Sequence, residues 1–159
     1  MKNGKLQIGI IGCGGIANGK HLPALHKLQN LCDLTAFCDI IPERAEKARA
    51  EYGSPDAKIY TDYRELLDNG DIDVVHVLTP NVLHSPITVA AFQAGKHVMC
   101  EKPMASTSAD AQAMLDAWKK SGKKFTIGYQ NRFRPEVQAL YKACRKGELG
   151  EIYYAKALA

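Results

Sequence analysis

Two hydrophobic periods alternate along the chain. Short runs at 6–11, 33–38, 58–60, 73–79, 97–100 and 125–129 carry apolar residues, several at consecutive rather than alternate positions. That pattern suits strands covered on both faces, as in a parallel sheet. Helical spacings lie between them. Ile87, Ala90, Ala91 and Ala94 fall at i, i+3, i+4 and i+7, with Gly95 as the stop. Ala111, Met114, Leu115 and Trp118 repeat that spacing, with Thr107 or Ser108 as the cap and Gly122 as the end. Pro42-Glu43-Arg44 opens a further helix, with proline in its first turn and an acid near its positive end. Pro23 falls inside the first helical stretch, which predicts a break near Lys20 and a new start by Leu22. Strand and helix in alternation give an α/β, doubly wound, mostly parallel sheet between two helical layers. The run at 151–159 reads as one more strand, ending without a turn or polar tail, with no evident partner face for Tyr153. It reads as the start of a further domain, so that the chain is the front part of a longer protein; a simple edge strand is the alternative.

Composition narrows the class. The chain has 159 residues, 46% hydrophobic and 24% charged, enough for one domain with a real core and no need of disulfides. Disorder and collagen-like repeats are excluded. The net charge of +4 is too diffuse to point to nucleic acid, and no apolar run approaches membrane-spanning length. Met1 to Lys5 leads directly into a strand pattern, without the shape of a signal peptide. The five cysteines (Cys13, Cys32, Cys38, Cys100, Cys144) include no C-x-x-C pair and read as reduced, mostly buried thiols of a cytoplasmic protein. Zinc would need ligands clustered at short spacing, so no metal site is expected.

The first turn carries the chemistry. Gly12-Cys13-Gly14-Gly15-Ile16-Ala17 fits G-x-G-x-x-A between a first strand and a first helix, a Rossmann-type context. The first glycine permits a tight turn, Gly14 lets a diphosphate approach the backbone, and Ala17 lets helix and strand pack closely. The free N–H groups at the helix start face the phosphates. Asp39 stands 22 positions beyond Ala17, at the end of the second strand, where its carboxylate can accept from both ribose hydroxyls and repel a 2′-phosphate. Ile40 follows, where NADP-binding proteins commonly carry a cation, so NAD is favoured over NADP. Two competitors fit less well. Gly14, Gly19 and Lys20 approach a nucleoside-triphosphate loop, but His21 stands where Ser or Thr should hold magnesium, and Pro23 disrupts the required helix. Methyltransferases share a glycine-rich turn with a following acid; the rest of the chain separates the two.

Three further motifs, Thr79-Pro80-Asn81-Val82-Leu83-His84, Glu101-Lys102-Pro103 and Gly128-Tyr129-Gln130-Asn131-Arg132-Phe133, complete a set. With the glycine turn they closely resemble the glucose–fructose oxidoreductase / inositol dehydrogenase / MocA-like family over essentially the whole chain. The resemblance implies an NAD-binding Rossmann domain at 1–130, then at 131–159 a linking helix and the first strand of a substrate domain. It implies hydride transfer between NAD(H) and a hydroxyl of a sugar, cyclitol or related small polyol. A non-catalytic dinucleotide sensor is the alternative. Lys102 becomes the catalytic lysine, at the carboxyl end of a parallel strand, where its ammonium can stabilise charge developing on the reacting oxygen. Glu101 either orients Lys102 or contacts the nicotinamide ribose, and Pro103 restricts the lysine backbone, with a cis bond open to it. Cofactor contacts are implied for Gly12, Gly14, Gly15, Ile16, Ala17, Asp39, Thr79, Pro80, Asn81, His84, Glu101, Lys102 and Arg132. Asn81 can instead be a helix cap, His84 a core histidine and Arg132 a surface ion-pair residue. His21, His26, His76 and His97 read as structural. The family's acid/base histidine and its companion aspartate have no match here, so the chain by itself should bind cofactor without a complete catalytic apparatus. Homo-oligomers are expected, with apolar area around Tyr153, Tyr154 and Leu158 driving self-association.

Overall fold

The computed structural model describes residues 1–2 and 4–156. Its contacts divide the chain into two units, Met1–Gly128 and Tyr129–Ala159. The first unit holds six parallel strands: β1 (Leu6–Ile11), β2 (Cys32–Cys38), β3 (Lys58–Tyr60), β4 (Val74–Val77), β5 (His97–Cys100) and β6 (Phe125–Ile127). Their order in the sheet is β3-β2-β1-β4-β5-β6. The chain therefore winds outward from β1 to β3, returns to the other side of β1, and winds outward again. β1 and β4 are neighbours whose connections leave in opposite directions, which opens a crevice at their carboxyl ends.

Side-chain alternation sorts the core into two layers. Ile8 and Ile10 of β1 join Leu34 and Phe37 of β2 on one face, against Leu22, Ala45 and Ala48 from α1 (Leu22–His26) and α2 (Pro42–Tyr52). Ile11 of β1 joins Val75, Val77, Val98 and Cys100 on the other face. There α3 (Tyr63–Asp68) supplies Leu66 and Leu67, α4 (His84–Gln93) supplies Ile87 and Phe92, and α5 (Ser108–Ser121) supplies Met114. Gly9 makes room on this second face, since a Cβ there would stand 3.0 Å from Leu66 Cδ2 and 3.3 Å from Ile72 Cδ1. A register shift after Ile8 pairs Gly9 with Ala36 and passes over Thr35, which is why Leu34 and Phe37 share a face.

Helix ends follow their chemistry. Thr107 caps α5, its hydroxyl accepting from the Asp110 N–H at 3.1 Å, and Gly122 closes it at φ 66°. The first helical stretch departs from expectation. No interruption falls near Lys20: residues 15–26 stay helical, with a π-helical turn at Ala17–His21, while the α-helix starts anew at Leu22 as expected. The Leu22 N–H reaches the carbonyl of Ala17. Pro23 has no N–H for the carbonyl four residues back and its ring crowds that oxygen; the wider turn absorbs the misfit.

In the second unit a 3₁₀ turn at Gln130–Phe133 precedes α6 (Pro135–Arg145). The strand expected at 151–159 does not form over 151–156, which pair with no strand among the described residues; Tyr153 is 95% exposed. An extended segment becomes a strand only when a neighbour takes its N–H and C=O groups. Leu158, assigned to the same self-association surface, lies outside the described residues. No helix among the described residues is long and apolar enough to cross a membrane.

One half-buried residue of β4 sets an acid limit on stability. The His76 ring, on β4, packs edge-on against His21 at 5.7 Å, and its Nδ1 is shut from solvent without a partner among the described residues. Burial first, and the neighbouring His21 second, push its pKa down to about 4 from 6.5. Between those values the unfolded chain binds the proton that the folded chain refuses, so stability falls as pH drops from 6.5 toward 4. The full effect, reached below pH 4, is on the order of 3 kcal/mol. Urea titrations at pH 7 and pH 4.5 should show this acid-side loss, and His76→Phe should reduce it.

Candidate functional site

The crevice begins at Gly12, directly after β1. Its φ of 96° lies in the left-handed region, and a Cβ there would stand 2.8 Å from both the carbonyl carbon and the oxygen of Leu78. Only glycine lets the end of β1 pass so near the end of β4. Gly14 and Gly15 differ: nothing lies within 4 Å of an added Cβ at either position. The fold does not need their bareness, so it leaves open space above the first helical turn. Asn18 steadies the turn from below, its amide donating to the carbonyls of Cys13 (2.7 Å) and Gly14 (2.9 Å).

Asp39 reaches across from the end of β2. Its Oδ2 accepts from the Cys13 N–H at 2.8 Å and its Oδ1 from the Ile41 N–H at 3.0 Å. The carboxylate thus holds the glycine turn against β2, and each oxygen keeps lone pairs for a further donor. The expected Cys13 thiol is present but inert: burial, reinforced by the Asp39 charge, pushes its pKa up to about 12.

A cleft of about 620 Å³ runs over this turn. Of the residues expected to contact cofactor it is lined by Gly12, Gly14, Gly15, Ile16, Asp39, Thr79 and Pro80. The Thr79 hydroxyl is buried without a partner among the described residues. Ile40, Arg44, Thr61, Asp62, Tyr63, Arg64, Leu83 and Ile87 also line it. The loop after β3 was not read from the sequence as part of the site, because a three-residue strand leaves no pattern that locates its end. An open phosphate turn, a carboxylate beside it and an unpartnered hydroxyl opposite are a donor and acceptor set that fits a dinucleotide.

Several expected contacts are placed elsewhere. Ala17 is fully buried and packs helix to sheet instead of facing the cleft. Asn81 caps no helix: it starts the 3₁₀ turn Asn81–Leu83, which has no side-chain cap bond, and α4 follows from His84. His84 does not look into the cleft. It is fully buried, with Nδ1 2.7 Å from the Pro103 carbonyl oxygen and Nε2 2.9 Å from the Thr79 carbonyl oxygen. The neutral ring carries one N–H, so it donates to one of these two carbonyls, and the ring bridges the loops after β4 and β5. Arg132 belongs to the second unit, where its guanidinium lies 5.3 Å from the Tyr129 ring centre.

Glu101 and Lys102 follow β5, outside the residues lining the cleft. The Lys102–Pro103 peptide is cis. Glu101 Oε2 accepts from the Lys102 N–H at 2.9 Å, and its Oε1 meets His21 Nε2 at 2.8 Å. Lys102 is exposed, and its ammonium makes no hydrogen bond or ion pair among the described residues. His21 was read as structural from sequence. Its position in the π-helical turn, which no spacing rule anticipates, is what brings it to Glu101. No group of His, Cys, Asp or Glu suited to a metal occurs among the described residues.

The fold is shared with known proteins. The Gfo/Idh/MocA family, described as an oxidoreductase family with an NAD-binding Rossmann fold, matches residues 6–129. Inositol 2-dehydrogenase of Salmonella typhimurium is 37% identical over 147 residues, covering 92% of this chain and 43% of that protein. The chain thus spans less than half the length of such relatives. The WlbA dehydrogenase of Bordetella pertussis, solved with NADH and UDP-GlcNAcA, superposes with a TM-score of 0.86 at 32% identity, over 94% of this chain and 44% of that one. The 3-ketoreductase KijD10 of Actinomadura kijaniata, solved with NADP and TDP-benzene, gives 0.82 at 28% identity, over 93% and 44%.

The contrast among the glycines is measurable. Gly12→Ala meets backbone atoms at 2.8 Å and keeps an unfavourable φ, so it should cost about 2–4 kcal/mol. Gly15→Ala meets nothing and should stay within about 0.5 kcal/mol of the native chain. Denaturant midpoints of the two variants check this.

Proposed function

Because this chain belongs to the Gfo/Idh/MocA oxidoreductase family, we propose that it is the nucleotide-binding part of an enzyme passing hydride between NAD(H) and a hydroxyl-bearing carbon of a sugar, cyclitol or related small polyol. The observation that carries the reading is the open turn at Gly14 and Gly15 with the Asp39 carboxylate bonded across it. Backbone N–H groups at the start of the first helix receive the diphosphate, where the helix dipole favours negative charge. Asp39, already fixed by the Cys13 and Ile41 amides, accepts from the adenosine ribose hydroxyls. The same carboxylate disfavours a 2′-phosphate, and Ile40, 84% exposed beside it, offers no compensating charge. Arg44 and Arg64 line the cleft too, but neither replaces Asp39 at the turn, and NAD is the preferred form.

When bound, the nicotinamide supplies the hydride acceptor or donor. Thr79 and Pro80, which line the cleft, would hold the nicotinamide end, and the unpartnered Thr79 hydroxyl would be available to it. Lys102 faces the substrate: its ammonium hydrogen-bonds the reacting hydroxyl oxygen and stabilises negative charge as hydride departs. Arg132 stands at the start of the segment 131–159, which leads toward the substrate domain that supplies the acid/base group and most substrate contacts.

The chain should bind NADH saturably with a change in nicotinamide fluorescence, and NADPH about tenfold or more weakly, since a 2′-phosphate would face a carboxylate. Asp39→Ala should weaken NADH binding about tenfold. Gly14→Ala should fold normally, because its Cβ enters open space, yet bind NADH less well, because that space is the diphosphate's. Absence of saturable binding by folded native chain, or equal affinity for both cofactors, would overturn the corresponding part of the reading.

A further inference from the structure

Lys102 has a histidine holding each of its sequence neighbours. On one side, the Glu101 carboxylate is divided between two partners, His21 Nε2 at 2.8 Å and the Lys102 N–H at 2.9 Å. On the other, the Pro103 carbonyl meets His84 Nδ1 at 2.7 Å. The first arrangement is built into the surroundings. The His21 and Glu101 side chains are only 12% and 11% exposed. His76 packs edge-on against the His21 ring, with the centroids 5.7 Å apart. Gly128 makes room for the carboxylate, since a Cβ there would stand 2.9 Å from Glu101 Oε1.

We propose that His21 is a positioning residue for Lys102, acting through Glu101. A carboxylate next to a lysine in sequence has an obvious competing partner, the lysine's own ammonium. With His21 on one oxygen and the backbone N–H on the other, Glu101 is directed away from that ammonium, which stays available to substrate. His21 also belongs to the helical stretch that begins at the glycine turn. One hydrogen bond therefore joins the segment that receives the diphosphate to the segment that carries the lysine. His84 secures the opposite flank of the same turn. The importance of the arrangement rests on the reading of Lys102 as the substrate-facing lysine; its existence does not.

The test compares native chain with His21→Gln, which keeps a donor at the reach of Nε2, and His21→Phe, which keeps the ring shape and loses the donor. Hydrogen–deuterium exchange at the Lys102 amide reads the clamp, with β1 and β4 amides as the control for global folding. In His21→Phe the Lys102 amide should exchange about tenfold faster or more, and in His21→Gln within about threefold of native, with β1 and β4 protection unchanged. A role limited to filling space predicts the opposite order, Phe preserved and Gln impaired, and that result overturns the proposal. So does equal exchange in all three. If His21→Phe loses β1 and β4 protection, the bond is read in native chain instead. A slowly exchanging His21 Nε2–H signal that disappears in Glu101→Ala supports the clamp, and a rapidly exchanging one overturns it. NADH titration of the same samples separates the two claims, because native chain that shows the clamp but binds no NADH rejects the cofactor reading alone.

Discussion

The molecule is organised around one close approach, the passage of Gly12 beside the carbonyl of Leu78. β1 and β4 lie side by side in the centre of the sheet, and beyond them the chain departs toward opposite layers. Any side chain at residue 12 would push those two ends apart. Because the approach is tight, the N–H groups that follow it are presented at the mouth of the crevice, with the Asp39 carboxylate within hydrogen-bond reach. The sheet order creates the opening, and the missing Cβ lets it have the right dimensions.

Around that point the polar side chains form a set of ties between loops that no strand ladder connects. Asp39 joins the loop after β2 to the glycine turn, His84 joins the loops after β4 and β5, and Glu101 with His21 joins the loop after β5 to the first helical stretch. Each tie uses a buried or nearly buried group set within hydrogen-bond distance of the loops it joins, and a hydrogen-bonded polar group in such surroundings adds rigidity. The carboxyl end of the sheet is thereby stiffened where loops would otherwise move independently.

Much of this was legible in the sequence, for definite reasons. β3 and β5 occupy the runs expected at 58–60 and 97–100, and Thr107 by its hydroxyl and Gly122 by its left-handed backbone bound α5, because apolar period and cap chemistry are local properties. The spacing from Ala17 to Asp39 pointed to a turn paired with an acid because helix and strand lengths fix where such an acid can stand. What escaped was tertiary. Nothing in Lys20-His21-Leu22 announces that a proline two residues later will widen the turn and aim the imidazole at Glu101. His84 resembled a site residue because it ends a site motif, yet its helix turns it inward. Residues 151–156 have strand composition without a strand to pair with, and composition does not reveal a partner.

The thiols have a practical consequence. Cys13, Cys38 and Cys100 are buried with pKa values pushed up to about 12, Cys32 is also buried and raised, and Cys144 on α6 is exposed. Alkylating reagents act on thiolates they can reach. The natural chain therefore offers one chemical handle at neutral pH: a dye or spin label attached with a maleimide would report from α6 alone, with no cysteine first engineered away.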